Sequence, residues 1–251
     1  MPRSVRIPTN GITLHVMEDG PLDGPPVVLL HGFPEFWYGW RHQIEALAQA
    51  GFRVITPDQR GYNLSDKPRG LCAYNLDTLA ADILGLIDHY GYDRVYLAGH
   101  DWGAAVAWHL ATTTPERLHR LAILNVPHPH VMVETVRRSL RQLRKSWYIG
   151  FFQLPWLPEW ALSRNHWRAA TGLLVASGRR DPQTGHTLTW NHAEDFPCYI
   201  EAWSQPGAIT GMLNWYRAIL RCPPRPLTAP RVHVETLIIW GRQDIALSES
   251  M

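Results

Sequence analysis

The stretch Tyr96-Leu97-Ala98-Gly99-His100-Asp101-Trp102-Gly103-Ala104-Ala105 decides how the whole chain is read. Residues 95–98 form a short apolar run of strand character, and residues 104–113 carry a helical pattern of small and apolar side chains. Between them lies a tight turn with glycines two before and two after Asp101. This is the spacing of a G-x-S-x-G nucleophile elbow with aspartate in the serine's place. The central residue of such a turn is strained, and side chains at the glycine positions would collide with the neighbouring strand and helix. Asp101 should project over the helix N-terminus, whose free N–H groups and positive dipole end favour an ionised carboxylate. The plainer alternative is an ordinary strand-to-helix turn in which Asp101 only caps the helix.

Working outward, residues 27–30, 52–56 and 121–124 are further apolar runs bounded by Gly, Pro or Asp, and residues 236–240 form a fifth. Helical patterns fill residues 40–50 and 76–90, ending near Gly51 and Gly91, and the helix of residues 104–113 ends near Pro115. Strands and helices in alternation predict a parallel sheet with crossovers. Residues 5–7 and 13–18, joined by Asn10-Gly11, predict an antiparallel hairpin at its edge. From Pro127 to Pro224 strand-like runs vanish, and helical stretches alternate with clusters such as Gln153-Leu154-Pro155-Trp156-Leu157-Pro158. The chain therefore divides into a first core part (1–126), a helical insertion (127–224) and a returning core part (225–251). Cys222-Pro-Pro-Arg-Pro reads as the exit linker.

Composition narrows the classes. The 251 residues, 45% hydrophobic and 18% charged, fit one large globular domain with an inserted lid and exclude disorder, collagen and coiled coil. A net charge of +2, with no block of five like charges, argues against a nucleic-acid partner. Three widely spaced cysteines, Cys72, Cys198 and Cys222, suggest neither a disulfide framework nor a metal site, so a reducing, cytoplasmic home is expected. No apolar window suggests a signal peptide or a membrane span. Twelve tryptophans and nine tyrosines hint at an aromatic-lined cavity, and Trp147, Phe151, Trp156 and Trp203 suggest an apolar substrate.

Three pieces of the sequence carry a resemblance: His31-Gly32-Phe33-Pro34, Gly99-His100-Asp101-Trp102-Gly103, and two tyrosine-bearing segments of the insertion. Through them the chain resembles the α/β-hydrolase superfamily and, within it, the epoxide hydrolases, from near residue 10 to the last residue. The resemblance implies an α/β fold with a mostly parallel sheet, helices on both faces and a helical lid. It also implies conversion of an epoxide and water to a vicinal diol, with no metal and no organic cofactor. A carboxylate can displace at a saturated carbon and leave an alkyl ester on the enzyme, which water must then hydrolyse.

The family pattern assigns roles residue by residue. Asp101 is the nucleophile, and the N–H groups of Phe33 and Trp102 form an oxyanion hole for the second step. Phe33, Pro34 and Trp102 line the substrate site, with a cis bond before Pro34. His31 and His100 read as bracing residues beside the site. Ring opening creates an alkoxide that needs a proton, and neutral phenols, with a pKa of about 10, can give one at pH 7. Trp147-Tyr148-Ile149-Gly150-Phe151-Phe152-Gln153-Leu154-Pro155 and Asn214-Trp215-Tyr216-Arg217 resemble the two lid tyrosine segments, which makes Tyr148 and Tyr216 the expected acids.

Leu237-Ile238-Ile239-Trp240-Gly241-Arg242-Gln243-Asp244 places an acid after a strand, where the family keeps the carboxylate that orients a histidine base. All thirteen histidines precede Asp244, so the chain lacks the expected catalytic histidine, and the last strand and helix of the fold are expected to be absent too. Alkylation of Asp101 should proceed in such a chain and ester hydrolysis should stall. Two other readings stand beside this one: a haloalkane or haloacid dehalogenase using the same Asp nucleophile, and a non-catalytic α/β-hydrolase remnant. The tyrosine pair and Phe33-Pro34-Glu35-Phe36-Trp37 favour the epoxide branch over dehalogenases, which hold a halide with Trp or Asn.

Overall fold

The computed structural model describes residues 2–176, 179–180, 187–188, 193–226, 231–241, 244 and 246–247. Arg242 and Gln243 of the acid-bearing turn, and Met251, lie outside the described residues. In chain order the strands are β1 (Arg3–Thr9), β2 (Ile12–Asp19), β3 (Pro26–Leu30), β4 (Arg53–Pro57), β5 (Val95–His100), β6 (Leu118–Leu124), β7 (Arg179–Arg180), β8 (Thr187–Leu188) and β9 (Thr236–Ile239). The helices are α1 (Arg41–Gln49), α2 (Leu76–His89), α3 (Trp102–Thr113), α4 (Pro129–Arg138), α5 (Leu140–Lys145), α6 (Trp147–Phe151), α7 (Leu157–Ala176), α8 (Phe196–Ser204) and α9 (Ala208–Arg221).

Seven strands form one sheet in the order β1-β2-β4-β3-β5-β6-β9. The Asn10-Gly11 hairpin forms as the sequence predicts, with φ of 44° and 74° at the two turn residues. It joins the sheet antiparallel to β4, and every pairing from β4 through β3, β5 and β6 to β9 is parallel. In β3, Val28 and Leu30 belong to one buried cluster, and Val27 and Leu29 to another with Trp40, Ile44 and Val54. That two-sided burial explains why β3 reads as a continuous apolar run. β6 begins three residues before the expected run, because His119 and Arg120 are exposed on a strand whose Leu118 is buried. The α2 N-terminus is capped by Asn75, whose side chain accepts the Thr78 N–H at 2.8 Å. Arg60 ties that helix to the hairpin: its Nε and one terminal nitrogen reach the two Asp82 oxygens at 2.7 and 2.6 Å, and Asn10 Nδ2 adds a third bond at 2.8 Å.

Helices α4 to α9 lie between β6 and β9 in the chain, and two observations correct the sequence reading there. A short antiparallel pairing of β7 with β8 occurs where no strand was expected, since two-residue strands leave no periodic signal. Cys72 and Cys222, 150 residues apart, are joined as a disulfide with Cα atoms 5.3 Å apart, although the spacing suggested no bridge. The link ties the end of α9 to the turn just before α2, a proximity that exists only in the fold.

The helical segment docks on the sheet's C-terminal edge through close contacts. A side chain at Gly211 of α9 would come within 2.6 Å of the Gly61 carbonyl, so α9 and the loop after β4 meet backbone to backbone. Trp215 Nε1 donates to the Arg60 carbonyl at 2.9 Å, and Trp203 Nε1 to the Pro34 carbonyl at 2.5 Å. Asp195 accepts from Tyr38 at 2.8 Å and pairs with Arg41 at 3.0 Å. At the far side of the sheet, Leu237, Ile238 and Ile239 of β9 are 60%, 53% and 49% exposed. Among the described residues no helix is long and apolar enough to cross a membrane.

Candidate active site

The elbow is built as its glycines require. Asp101 sits at φ 50° and ψ −123°, a left-handed conformation that costs a non-glycine residue about 1–3 kcal/mol and persists only when its surroundings enforce it. They do so here through backbone crowding: a Cβ on Gly99 would lie 2.5 Å from the Gly103 carbonyl, and one on Gly103 would strike the carbonyls of Leu30 and His31. Helix α3 therefore starts at Trp102, two residues before its periodic pattern begins. Asp101 is the N-cap by position, yet its side chain makes no capping bond. Its Oδ1 instead accepts the Phe33 N–H at 2.8 Å across the sheet, and the Trp102 N–H also bonds the carboxylate. The simple helix-cap reading fails on this geometry.

The strand-to-loop turn after β3 brings Phe33 into place. The Phe33–Pro34 bond is cis, as the family resemblance implied. His31 is buried and braces the loop: its Nε2 accepts the Gln59 N–H at 3.0 Å, its Nδ1 bonds the Gly32 carbonyl at 3.1 Å, and Gln59 returns a bond to the His31 carbonyl at 2.5 Å. Burial, as the main cause, lowers the His31 pKa to about 4 and keeps the ring neutral.

Burial also raises the Asp101 pKa above the usual carboxylate value, and the nearby Asp244 charge adds to this. His100 and the N–H groups of Phe33 and Trp102 pull it back down, but burial prevails. The expectation of a carboxylate favoured by the helix end is thus only one side of the balance.

Tyr148 and Tyr216 come together as expected, their rings 6.0 Å apart and nearly perpendicular. Tyr216 packs edge-on against Trp102 at 4.9 Å and Phe33 at 5.2 Å, while Phe152 lies 4.9 Å from Tyr216 and 5.8 Å from Tyr148. Both phenols are pushed well above their ordinary pKa, first by burial and then by the charge on Asp101, so both stay protonated at neutral pH. Pro34 follows Phe33 and its carbonyl accepts from Trp203, whose ring packs on Trp167 and Tyr199 rather than on the tyrosine pair. Trp147 and Trp156, read from sequence as possible cavity aromatics, are 67% and 73% exposed and face outward. Neither the short α6 that carries Trp147 nor the turn that carries Trp156 has a signal that separates a lining ring from a surface ring.

Asp244 follows β9. Its Oδ1 accepts the N–H groups of Ala246 and Leu247 at 2.7 and 2.8 Å, and its Oδ2 accepts from Asn125 Nδ2. Asn125 Oδ1 in turn accepts the Gly241 N–H at 2.9 Å. Among the described residues no histidine bonds Asp244. Two residues of this neighbourhood escaped the sequence reading. Asn125, at the end of β6, could be found only by knowing that β9 lies beside β6. Glu35, quoted above only as part of a stretch, is a buried carboxyl whose pKa rises to about 8, mainly through burial and then through the Asp101 charge, with Arg41 opposing.

Comparison with known proteins agrees with the fold. The family model described as the alpha/beta hydrolase fold matches residues 25–251. An AB hydrolase superfamily protein of Bacillus subtilis, YfhM, is 50% identical over 246 residues, covering 97% of this chain and 82% of that protein. Mouse epoxide hydrolase 4 is 40% identical over 247 residues, 98% of this chain and 67% of its own length. The crystal structure of Bacillus megaterium epoxide hydrolase in complex with an inhibitor superposes with a TM-score of 0.86 at 32% identity, covering 98% of this chain and 85% of that one. With this fold, and with these relatives in sequence and structure, the chain belongs to the α/β-hydrolase superfamily, in its epoxide hydrolase branch.

Proposed function

We propose that the protein hydrolyses a small apolar epoxide to a vicinal diol, with Asp101 as nucleophile and residues 127–224 as the lid over it. One observation carries this reading: an elbow carboxylate, tied at one oxygen to the Phe33 N–H, shares its buried site with a pair of neutral phenols. In the first step Oδ2, the oxygen that does not take the Phe33 bond, attacks a ring carbon, the C–O bond breaks, and its electron pair passes to the ring oxygen. That oxygen takes a proton from Tyr148 or Tyr216, and the phenolate is reprotonated from water. Phenols are suited to this because burial keeps them protonated until the alkoxide develops. Glu35, neutral at pH 7, adds no second negative charge beside the nucleophile.

In the second step water adds to Cγ of Asp101, and the oxyanion on Oδ1 receives the N–H groups of Phe33 and Trp102. Collapse expels the diol and restores the carboxylate. The water must also lose a proton to a base; the family pattern gives that part to a histidine oriented by the acid at Asp244, none of the thirteen histidines of the 251 residues follows that acid, and Asn125 holds Asp244 in place. The phenyl and indole rings of Phe33 and Trp102 suit an apolar substituent. The reaction needs only substrate and water, and we place it in the cytoplasm.

Rapid acid quench after mixing with styrene oxide, followed by peptide mass mapping, tests the reading. An ester adduct of one epoxide mass on Asp101 is expected. Turnover with no modified Asp101 peptide at any quench time would overturn it. A dehalogenase using the same nucleophile would be marked by halide release that survives Tyr216→Phe.

A further inference from the structure

We propose that Arg217 is a positioning residue that holds the two tyrosines in register, by clasping the loop after α6 to helix α9. This rests on the tyrosine pair acting as the acid. Tyr148 sits on α6 and Tyr216 on α9, so their spacing depends on how those two elements are joined.

The join is a set of hydrogen bonds centred on Arg217, a residue only 7% exposed. Its Nε donates to the Phe152 carbonyl at 2.9 Å. One terminal nitrogen donates to Glu159 Oε1 at 2.7 Å and to Asn214 Oδ1 at 3.5 Å. The other donates to Glu159 Oε2 at 2.9 Å and to the Leu154 carbonyl at 2.7 Å. All five guanidinium N–H groups are thus engaged, and two of the acceptors, the Phe152 and Leu154 carbonyls, belong to the loop just after Tyr148's helix. Next to it, Gln153 Nε2 reaches the Tyr216 carbonyl at 2.8 Å and the Ile149 carbonyl at 3.2 Å. The Gln153 Oε1 is buried with no hydrogen-bond partner among the described residues, an unfavourable arrangement tolerated beside the clasp.

The clasp acts on the phenols through Phe152. Its carbonyl is fixed by Arg217, and its ring is wedged between Tyr216, Tyr148 and Phe33 at 4.9, 5.8 and 5.4 Å. Lysine in place of Arg217 would keep the buried charge beside Glu159 but could not donate in a planar fork to two carbonyls and a carboxylate at once. The phenols should then drift relative to the ring oxygen, and misplacement of about 1 Å can cost about 100-fold in rate.

The experiment compares Asp101 alkylation by two reagents, read by peptide mass mapping. Styrene oxide needs a proton donor at its departing oxygen, whereas phenacyl bromide loses bromide without one. In Arg217→Lys we expect the styrene oxide rate to fall about 10- to 100-fold while the phenacyl bromide rate stays within about twofold. A purely structural role would change both rates together, or only the melting temperature. Tyr216→Phe is the control. If Tyr216→Phe lowers the epoxide-to-bromide ratio and Arg217→Lys does not, the clasp is overturned and the tyrosine reading stands. If neither lowers it, the tyrosine reading falls and the clasp with it. Should Arg217→Lys not fold, Gln153→Ala, which removes the amide bonds to the Tyr216 and Ile149 carbonyls, must lower the same ratio for the proposal to survive.

Discussion

The two sides of the site are held by different means. On the Asp101 side the backbone does the placing: two glycines at contact distance from carbonyls, a left-handed φ, and an N–H from the β3 loop on Oδ1. On the tyrosine side the placing is done by side chains: a guanidinium fork, a glutamine amide and a wedge of aromatic rings. Backbone placement is stiff and local, and a short motif can encode it. Side-chain placement can be retuned by single substitutions.

This contrast can be broken at several points. The largest effect is expected from Asp101→Asn, whose amide is a far poorer nucleophile. Adduct formation with an epoxide should fall by about 10⁴-fold or more while circular dichroism stays unchanged. Next, Tyr148→Phe and Tyr216→Phe should each slow epoxide alkylation by about 10- to 100-fold, and the pair together by more, as single-turnover kinetics would show. A smaller change, but one that strikes the backbone side, is Gly103→Ala. A methyl group driven into the Leu30 and His31 carbonyls should cost about 2–4 kcal/mol, measured by chemical denaturation, and should reduce alkylation as the elbow deforms.

The smallest effect sharpens the electrostatic side. The native Glu35 pKa of about 8 exceeds its unfolded value of 4.5, so the native state binds the proton more tightly. Its contribution to stability is therefore complete below the unfolded value and declines as pH rises toward the native one. Within that window Glu35→Gln should remove a slope of up to about 1.4 kcal/mol per pH unit from the denaturation free energy.

Much of this architecture was legible because it is written locally. The hairpin announced itself in Asn10-Gly11, the five parallel strands in short apolar runs, and the elbow in two glycines around an acid. The cis bond before Pro34 and the meeting of Tyr148 with Tyr216 followed from the family resemblance. What escaped depends on distance in the chain. Asn125 and Asp244 meet only because β6 and β9 are neighbours, and Cys72 finds Cys222 across 150 residues. Glu35 carries no motif of its own, and its neutrality comes from burial that only the folded chain supplies. Trp147 and Trp156 misled for the opposite reason: an aromatic side chain advertises burial, but short helices and turns on a domain's outside have outer faces as well.

The bond from Phe33 to Oδ1 has a consequence for the accounting of isotopes. It makes the two oxygens of one aspartate inequivalent, because the atom that Phe33 tethers is the less free to attack. After each cycle the tethered atom stays where it was, and the atom delivered by solvent occupies the attacking position. Every diol should then carry the oxygen acquired one turnover earlier. In heavy-oxygen water the first equivalent of product would be light at the newly added position and the second wholly heavy, whereas two freely exchanging oxygens would give a half-and-half mixture.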